Sequence, residues 1–360
     1  MSRKPTTARR SKRKPIRKTL TPQTSALSLD GTWQLHEEPL SVSADAAPRI
    51  LGTVASAEPA DAHAASQASN TPADWIDTPI PGDIRQGLIA AGRIPEPLEG
   101  INSLDQHWIE DRSWWLRRTF DVPARHVSPG PLHTAPLGPS LPSEGDTTPP
   151  QPPPAWPVLE LELNGLDSHA SIFLNGQHIG DHPSAFRPFL AKVNGIIRAG
   201  ENILLVRLTT GVEDIRAEDY QPMKGFQPTE DSRGLPMRGD RRRPFVRKAQ
   251  FTWGWDWAPR CATVAIGGHC ELRILHEAAI RDVQVTAQRT PARNRASAPP
   301  PKPSADSTQA VSLTIAATVQ WLNPYASGQG TLHLTVRDPD GKVAATAQVQ
   351  TILQSGLNFI

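Results

Sequence analysis

Two cysteines in 360 residues, Cys261 and Cys270, are too few for a disulfide framework, and no second pair accompanies them to complete a zinc site. Buried free thiols are the simplest expectation, with pairing across the intervening VAIGG turn as the alternative. No apolar run approaches ~18 residues, which excludes a transmembrane helix. No 7–15-residue apolar stretch follows the basic N-terminus, so there is no sign of an export signal and the expected location is cytoplasmic. A Gly-rich phosphate loop and a Ser/His/Asp motif are both missing, and no cofactor is expected. Acidic residues are absent from Met1–Lys18, which holds nine of the 38 Lys and Arg; the remainder carries 29 basic against 36 acidic side chains. The body is therefore acidic. Without aromatic interleaving or periodicity, the basic head reads as a solvated, disordered tail over residues 1–26 rather than a nucleic-acid contact.

Proline is plentiful instead, at 37 residues, and it is clustered. An Ala/Ser/Pro-rich run over 41–71 lacks any apolar period, and Ala124–Pro157 packs eleven Pro into 34 residues. A third run, 290–308, separates strand-like segments. These three stretches read as disordered inserts that bury no core and lengthen loops without ending domains.

Between them the pattern is strand. Val158–Leu163 alternates apolar and acidic residues, which predicts Leu159, Leu161 and Leu163 on one face and Glu160 and Glu162 on a solvent face. Ser171–Leu174 runs into Asn175-Gly176, a hairpin turn whose residues tolerate positive φ, and Asp340-Gly341 repeats the signal. Further strands are expected at 203–208, 263–266, 271–275, 283–288, 312–319, 331–336 and 343–349, with one short helix near Ile84–Ala91. Many short strands and little helix predict an all-β chain of two β-sandwiches, one over 27–275 and one over 276–360.

Six of the ten Trp fall in two segments, HWIEDRSWWLRRTF and FTWGWDWAP. Trp253, Trp255 and Trp257 at alternate strand positions would share one face and fill a sandwich interior. The competing reading is a sugar platform, because indole faces suit the C–H face of a pyranose and Asp256 accepts hydrogen bonds from hydroxyls. Spacing alone favours the core.

The motifs shift that balance. LDGTW (29–33), DRSWWLRRTFDVP (111–123), LELNGLDSHASIFLNGQHIGDHPSAFRPF (161–189) and RKAQFTWGWDWAPR (247–260) together resemble the N-terminal region of β-mannosidases of glycoside hydrolase family 2, over roughly Leu27–Leu275. The resemblance implies a galactose-binding-like jelly roll followed by an immunoglobulin-like sandwich, and then a catalytic (β/α)₈ barrel beyond Ile360. It also implies a retaining reaction on a terminal β-mannoside by two Glu of that barrel, so no catalytic residue is expected within these 360 residues. The same resemblance makes Asp256, Trp255 and Trp257 the candidate substrate-binding residues, with Arg247 and Lys248 supporting their loop. Ala265-Ile266-Gly267, Leu98–Asn102 and the long inserts depart from the family pattern.

Other candidates are weaker. His178 and His182 have metal-like i, i+4 spacing, but they flank a strand end and a Gly-Asp turn, so no metal is expected. The basic run Arg238–Arg243 sits in an acidic body without a nucleic-acid-binding fold. Two functions remain open: the substrate-binding part of a β-mannosidase acting on a glycan, inactive by itself, or a carbohydrate-binding or interaction protein on the same jelly roll.

Overall fold

The computed structural model describes residues 25–52, 74–127, 157–220, 240, 242–289, 311–323 and 327–360. Most of the expected tail and inserts (1–24, 53–73, 128–156 and 290–310) lie outside the described residues. The chain divides into two compact units, one spanning Thr24–Leu275 and one containing His276–Ile360.

The first unit is built from β1 (Ser25–Ser28), β2 (Gly31–Pro39), β3 (Ile76–Ile80), β4 (Gly82–Asp83), β5 (Arg112–Val122), β6 (Val158–Leu163), β7 (Leu166–Asp167) and β8 (His169–Leu174). It continues through β9 (Gln177–Pro183), β10 (Phe189–Lys192), β11 (Gly200–Thr209), β12 (Trp253–Trp255), β13 (Ala258–Arg260), β14 (Ala265–Ile266) and β15 (Cys270–Leu275). A six-stranded sheet in the order β3-β2-β5-β11-β8-β9 faces a four-stranded sheet, β1-β15-β6-β10. Leu159, Leu161, Leu163 and Leu272 from the smaller sheet meet Trp33, Trp114, Leu116, Ile172, Leu204 and Val206 from the larger in one buried core. The indoles of Trp33 and Trp114 donate to the carbonyls of Leu29 and Ile109 at 2.8 and 3.0 Å, so these buried rings satisfy their N–H groups. The β8–β9 hairpin turns at Asn175 (φ 52°) and Gly176 (φ 82°), the left-handed pair its sequence announces.

Three sequence expectations are corrected here. First, Ser41–Leu51 does bury core: a 3₁₀ turn (Ala44–Ala46) capped by Ser43 leads into helix α1 (Ala47–Ile50). Ala47 and Ile50 cover Trp115, Phe173 and Leu205 on the outer face of the six-stranded sheet. The cause lies in the apolar run Leu204-Leu205-Val206 of β11, which is buried on both faces and needs cover on both. Second, Glu160 is not on a solvent face. Arg273 stands opposite it in the β15–β6 register and reaches Glu160 at 3.5 Å and Glu162 at 2.8 Å, so a buried carboxylate is paired rather than hydrated. Third, Trp253–Trp257 is not one alternating strand but a hairpin, described below. The expected helix forms as α2 (Ile84–Ala90), capped at its N-terminus by Asp83; the short helix α3 (Ala217–Tyr220) had no sequence signal. Among the described residues no helix is long and apolar enough to cross a membrane.

Asp30 ties the start of the jelly roll to its last strand. Its Oδ1 accepts the Cys270 amide at 2.8 Å and its Oδ2 lies 2.7 Å from His269 Nδ1. The hydrogen bond and charge of Asp30 raise the His269 pKa above its ordinary value. A raised folded-state value means that the contact contributes fully below pH ~6.5 and is lost as pH rises through the higher value. An NMR titration is expected to show His269 titrating above ~6.5 and D30N returning it there; an unshifted His269 in the wild type would disprove the pairing. Cys261 and Cys270 are both free. Burial pushes the Cys270 thiol up to about 12.

The second unit holds β16 (Ala278–Arg289), β17 (Val311–Trp321), β18 (Gly328–Arg337), β19 (Val343–Leu353) and β20 (Gly356–Phe359). They form a three-stranded sheet, β16-β17-β20, and a two-stranded sheet, β18-β19. Ala317, Val319, Trp321 and Leu353 make its core. Gly328 is required there, because a Cβ would stand 2.3 Å from the Trp321 ring.

Candidate sugar-facing hairpin

Strands β12 and β13 pair only with each other among the described residues, in the register Trp253↔Arg260 and Trp255↔Ala258. Asp256 and Trp257 are therefore the two-residue turn between them. Gly254 has φ 98°, a conformation that favours glycine, and this together with the turn breaks the strict alternation that the sequence suggested. The three indoles consequently part company. Trp253 is fully buried with Val212, Val246 and Ala262, whereas Trp255 is 44% and Trp257 68% exposed. Trp257 leans on Phe251 with ring centroids 5.5 Å apart. Asp256 is exposed between the two outward indoles and makes no hydrogen bond or ion pair with the described residues. A free carboxylate flanked by indoles can accept two hydroxyls while the rings cover apolar C–H surface.

The base of the hairpin is held by charge. The amide of Cys261 donates to the Thr252 carbonyl at 2.9 Å, closing the two strands. Lys248 is buried under this base, where its Nζ meets Asp167 and donates to Thr263 Oγ1 at 2.7 Å. The Thr263 hydroxyl also donates to Asp167. Burial pushes the Lys248 pKa down, and the Asp167 carboxylate beside it works in the opposite direction. Lys248 Nζ also lies 5.7 Å over the Trp253 ring. Arg247 is placed differently: its side chain is exposed, and it joins the structure through its carbonyl, which accepts the Ala185 amide at 2.9 Å. Asp83 accepts the Val264 amide at 3.1 Å, and Arg85 Nη1 donates to the Ala262 carbonyl at 3.0 Å, so the segment leaving the hairpin is fixed from α2.

Several charged residues of this base were not legible as functional in the sequence. Arg260 grips Glu110 with its Nε 3.1 Å from both carboxylate oxygens. Asp240 lies 3.9 Å from Arg260 and is held by Arg242 at 2.7 and 2.9 Å. Burial raises the Asp240 pKa, but the hydrogen bonds and charge of Arg242, joined by Arg260, outweigh it and hold the carboxyl below its ordinary value. Burial likewise opposes the Arg260 charge, yet Glu110 prevails and raises its pKa. The one sequence signal was position, since Glu110 and Arg260 each lie in a Trp-rich motif.

The other candidates are placed away from ligand chemistry. His178 Nε2 lies 3.1 Å from Asp181, and His182 Nε2 lies 2.9 Å from the Arg187 carbonyl. No group of three His, Cys, Asp or Glu suited to a metal occurs among the described residues.

Comparison with known proteins bears on this arrangement. A probable β-mannosidase of Caenorhabditis elegans is 28% identical over 189 residues, which cover 52% of this chain and 18% of that protein. Beta-mannosidase B of Emericella nidulans is 27% identical over 215 residues, covering 59% of this chain and 21% of that protein. The match thus spans about a fifth of the length of these relatives. Among solved structures, a β-D-mannosidase from Dictyoglomus thermophilum has a TM-score of 0.57 at 21% identity, over 93% of this chain and 30% of the other. An exo-chitosanase from Amycolatopsis orientalis has a TM-score of 0.52 at 13% identity, over 93% and 28%. At such identities the structural likeness speaks for the fold. The family model described as glycosyl hydrolase 2 galactose-binding domain-like matches residues 62–130 and 147–268, more than half of the sequence, and the chain belongs to that family.

Proposed function

We propose that this chain is the substrate-binding portion of a retaining β-mannosidase-type glycosidase, and that its hairpin recognises a terminal β-D-mannosyl residue. The observation that carries this reading is the outward presentation of Trp255, Asp256 and Trp257 at the tip of the hairpin, with Asp256 free of partners among the described residues. In this role Asp256 accepts hydrogen bonds from adjacent sugar hydroxyls, Trp255 walls the sugar, and Trp257, steadied by Phe251, extends the wall. Lys248 braces the hairpin from below through Asp167 and Thr263, and Arg247 does so through its backbone. The bond-breaking carboxylates of a retaining glycosidase stand ~5–5.5 Å apart on a catalytic framework. This proposal assigns them to a (β/α)₈ barrel, which the described residues do not form.

The proposal is supported by the names of the curated relatives, both β-mannosidases, and by the family to which the chain belongs. It is tested by titrating the chain with methyl β-D-mannoside while following the indole N–H signals by NMR. The signals of Trp255 and Trp257 are expected to shift, with saturation in the millimolar range for so small a ligand, and D256A is expected to abolish the shift. Equal response to mannoside in D256A would remove Asp256 from the site.

A further inference from the structure

We propose that Glu110 is a positioning residue for the sugar-facing hairpin: by gripping Arg260 on β13 it sets where Trp255, Asp256 and Trp257 stand. The consequence for sugar rests on the reading of the hairpin given above, while the geometry does not.

Among the described residues the hairpin joins none of the sheets of the jelly roll, so its two strands need separate anchors. Strand β12 has one in Trp253, buried with Val212, Val246 and Ala262. Strand β13 has no buried apolar side chain, as its residues Ala258, Pro259 and Arg260 are all at least partly exposed. Its anchor is the guanidinium of Arg260, directly across from Trp253 in the register. Glu110 is the penultimate residue of the 3₁₀ segment Leu104–Asp111, 150 residues before Arg260, and is only 4% exposed. Its two oxygens meet the guanidinium along one edge, through Nε and Nη2. Such a planar fork fixes direction as well as distance, which a lysine at the same place does not.

The grip is part of a closed circuit. Arg260 neighbours Asp240, Asp240 holds Arg242, and Arg242 Nη1 donates at 3.2 Å to the carbonyl of Val212, which packs on Trp253. Both anchors thus refer to one rigid frame. Burial and the neighbouring Arg260 charge hold the pKa of His107, three residues before Glu110, below its ordinary value. From Arg260 the chain needs only Ala258 and Pro259 to reach the turn, so a rotation at the guanidinium is passed directly to Asp256 and Trp257.

The test compares wild type, E110Q and R260K by NMR of the indole N–H signals and by titration with methyl β-D-mannoside. R260K keeps the charge and loses only the fork, which guards against a result that reflects unfolding of E110Q. Both variants are expected to shift the Trp255 and Trp257 signals, leave that of Trp33 in place, and weaken mannoside binding about tenfold or more, the effect of losing one well-oriented hydrogen bond. A pair that merely stabilised the fold would lower the unfolding temperature and leave Trp255 and Trp257 where they are; that outcome overturns the proposal. Displaced indoles with unchanged mannoside affinity would uphold the positioning role and sink the sugar reading. Weakened affinity without displaced indoles would refute the positioning role.

Discussion

Replacing Lys248 by Met is expected to destabilise the jelly-roll unit by ~3–5 kcal/mol, the penalty for removing one member of a buried ion pair. The ammonium is fully enclosed and serves Asp167 and Thr263 together, so its loss takes the counter-charge from a carboxylate and one donor from a carbonyl. The value should fall toward the lower end of that range, because Asp167 is partly exposed and keeps the hydroxyl of Thr263. Removing the stranded charge as well, in the double variant K248M/D167N, is expected to recover at least ~1 kcal/mol of the loss, since the desolvated carboxylate is the expensive part. Urea unfolding followed by tryptophan fluorescence measures both. A loss under ~1 kcal/mol for K248M would mean that the pair is not a structural support of the hairpin base.

Alanine in place of the residue matching Asp256, in a longer relative that turns over aryl β-mannosides, is expected to lower kcat/KM by about 30- to 1,000-fold, or ~2–4 kcal/mol. One carboxylate accepting one or two hydroxyls makes charge-assisted bonds of ~1.5–3 kcal/mol each, and hydroxyl contacts strengthen toward the oxocarbenium-like transition state. The loss should therefore appear in kcat as well as in KM. Asn at the same position keeps one acceptor and should retain an intermediate rate. An unchanged kcat/KM would take the carboxylate out of the substrate site.

Much of the sandwich was readable because strands announce themselves locally. The strand over Val158–Leu163, with its leucines in the core, and the left-handed turn at Asn175-Gly176 depend only on neighbours, and both are present. What escaped the sequence depends on partners far along the chain. Glu160 looked like a hydrated residue because Arg273, which neutralises it, lies 113 residues away on the adjacent strand. Ala47 and Ile50 looked like linker because a four-residue helix shows no period, and only the two-sided burial of β11 reveals why that helix is needed. The hairpin was half legible. The words of FTWGWDWAP marked it, but three alternating Trp suggested one shared face. A glycine at φ 98° and a turn of two residues divide them into one buried anchor and two outward rings. Lys248 was singled out by its motif, whereas Glu110 and Arg260 join motifs 150 residues apart and had no local signature.

The independence of the β12–β13 hairpin from both sheets bears on how such a scaffold diversifies. Substitutions at residues 256 and 257 change no strand register and uncover no core, so the unit can tolerate them at little cost in stability. On the proposed sugar-facing role of the hairpin, exchange at these two positions would alter the ligand contacts and leave the folded frame beneath them intact.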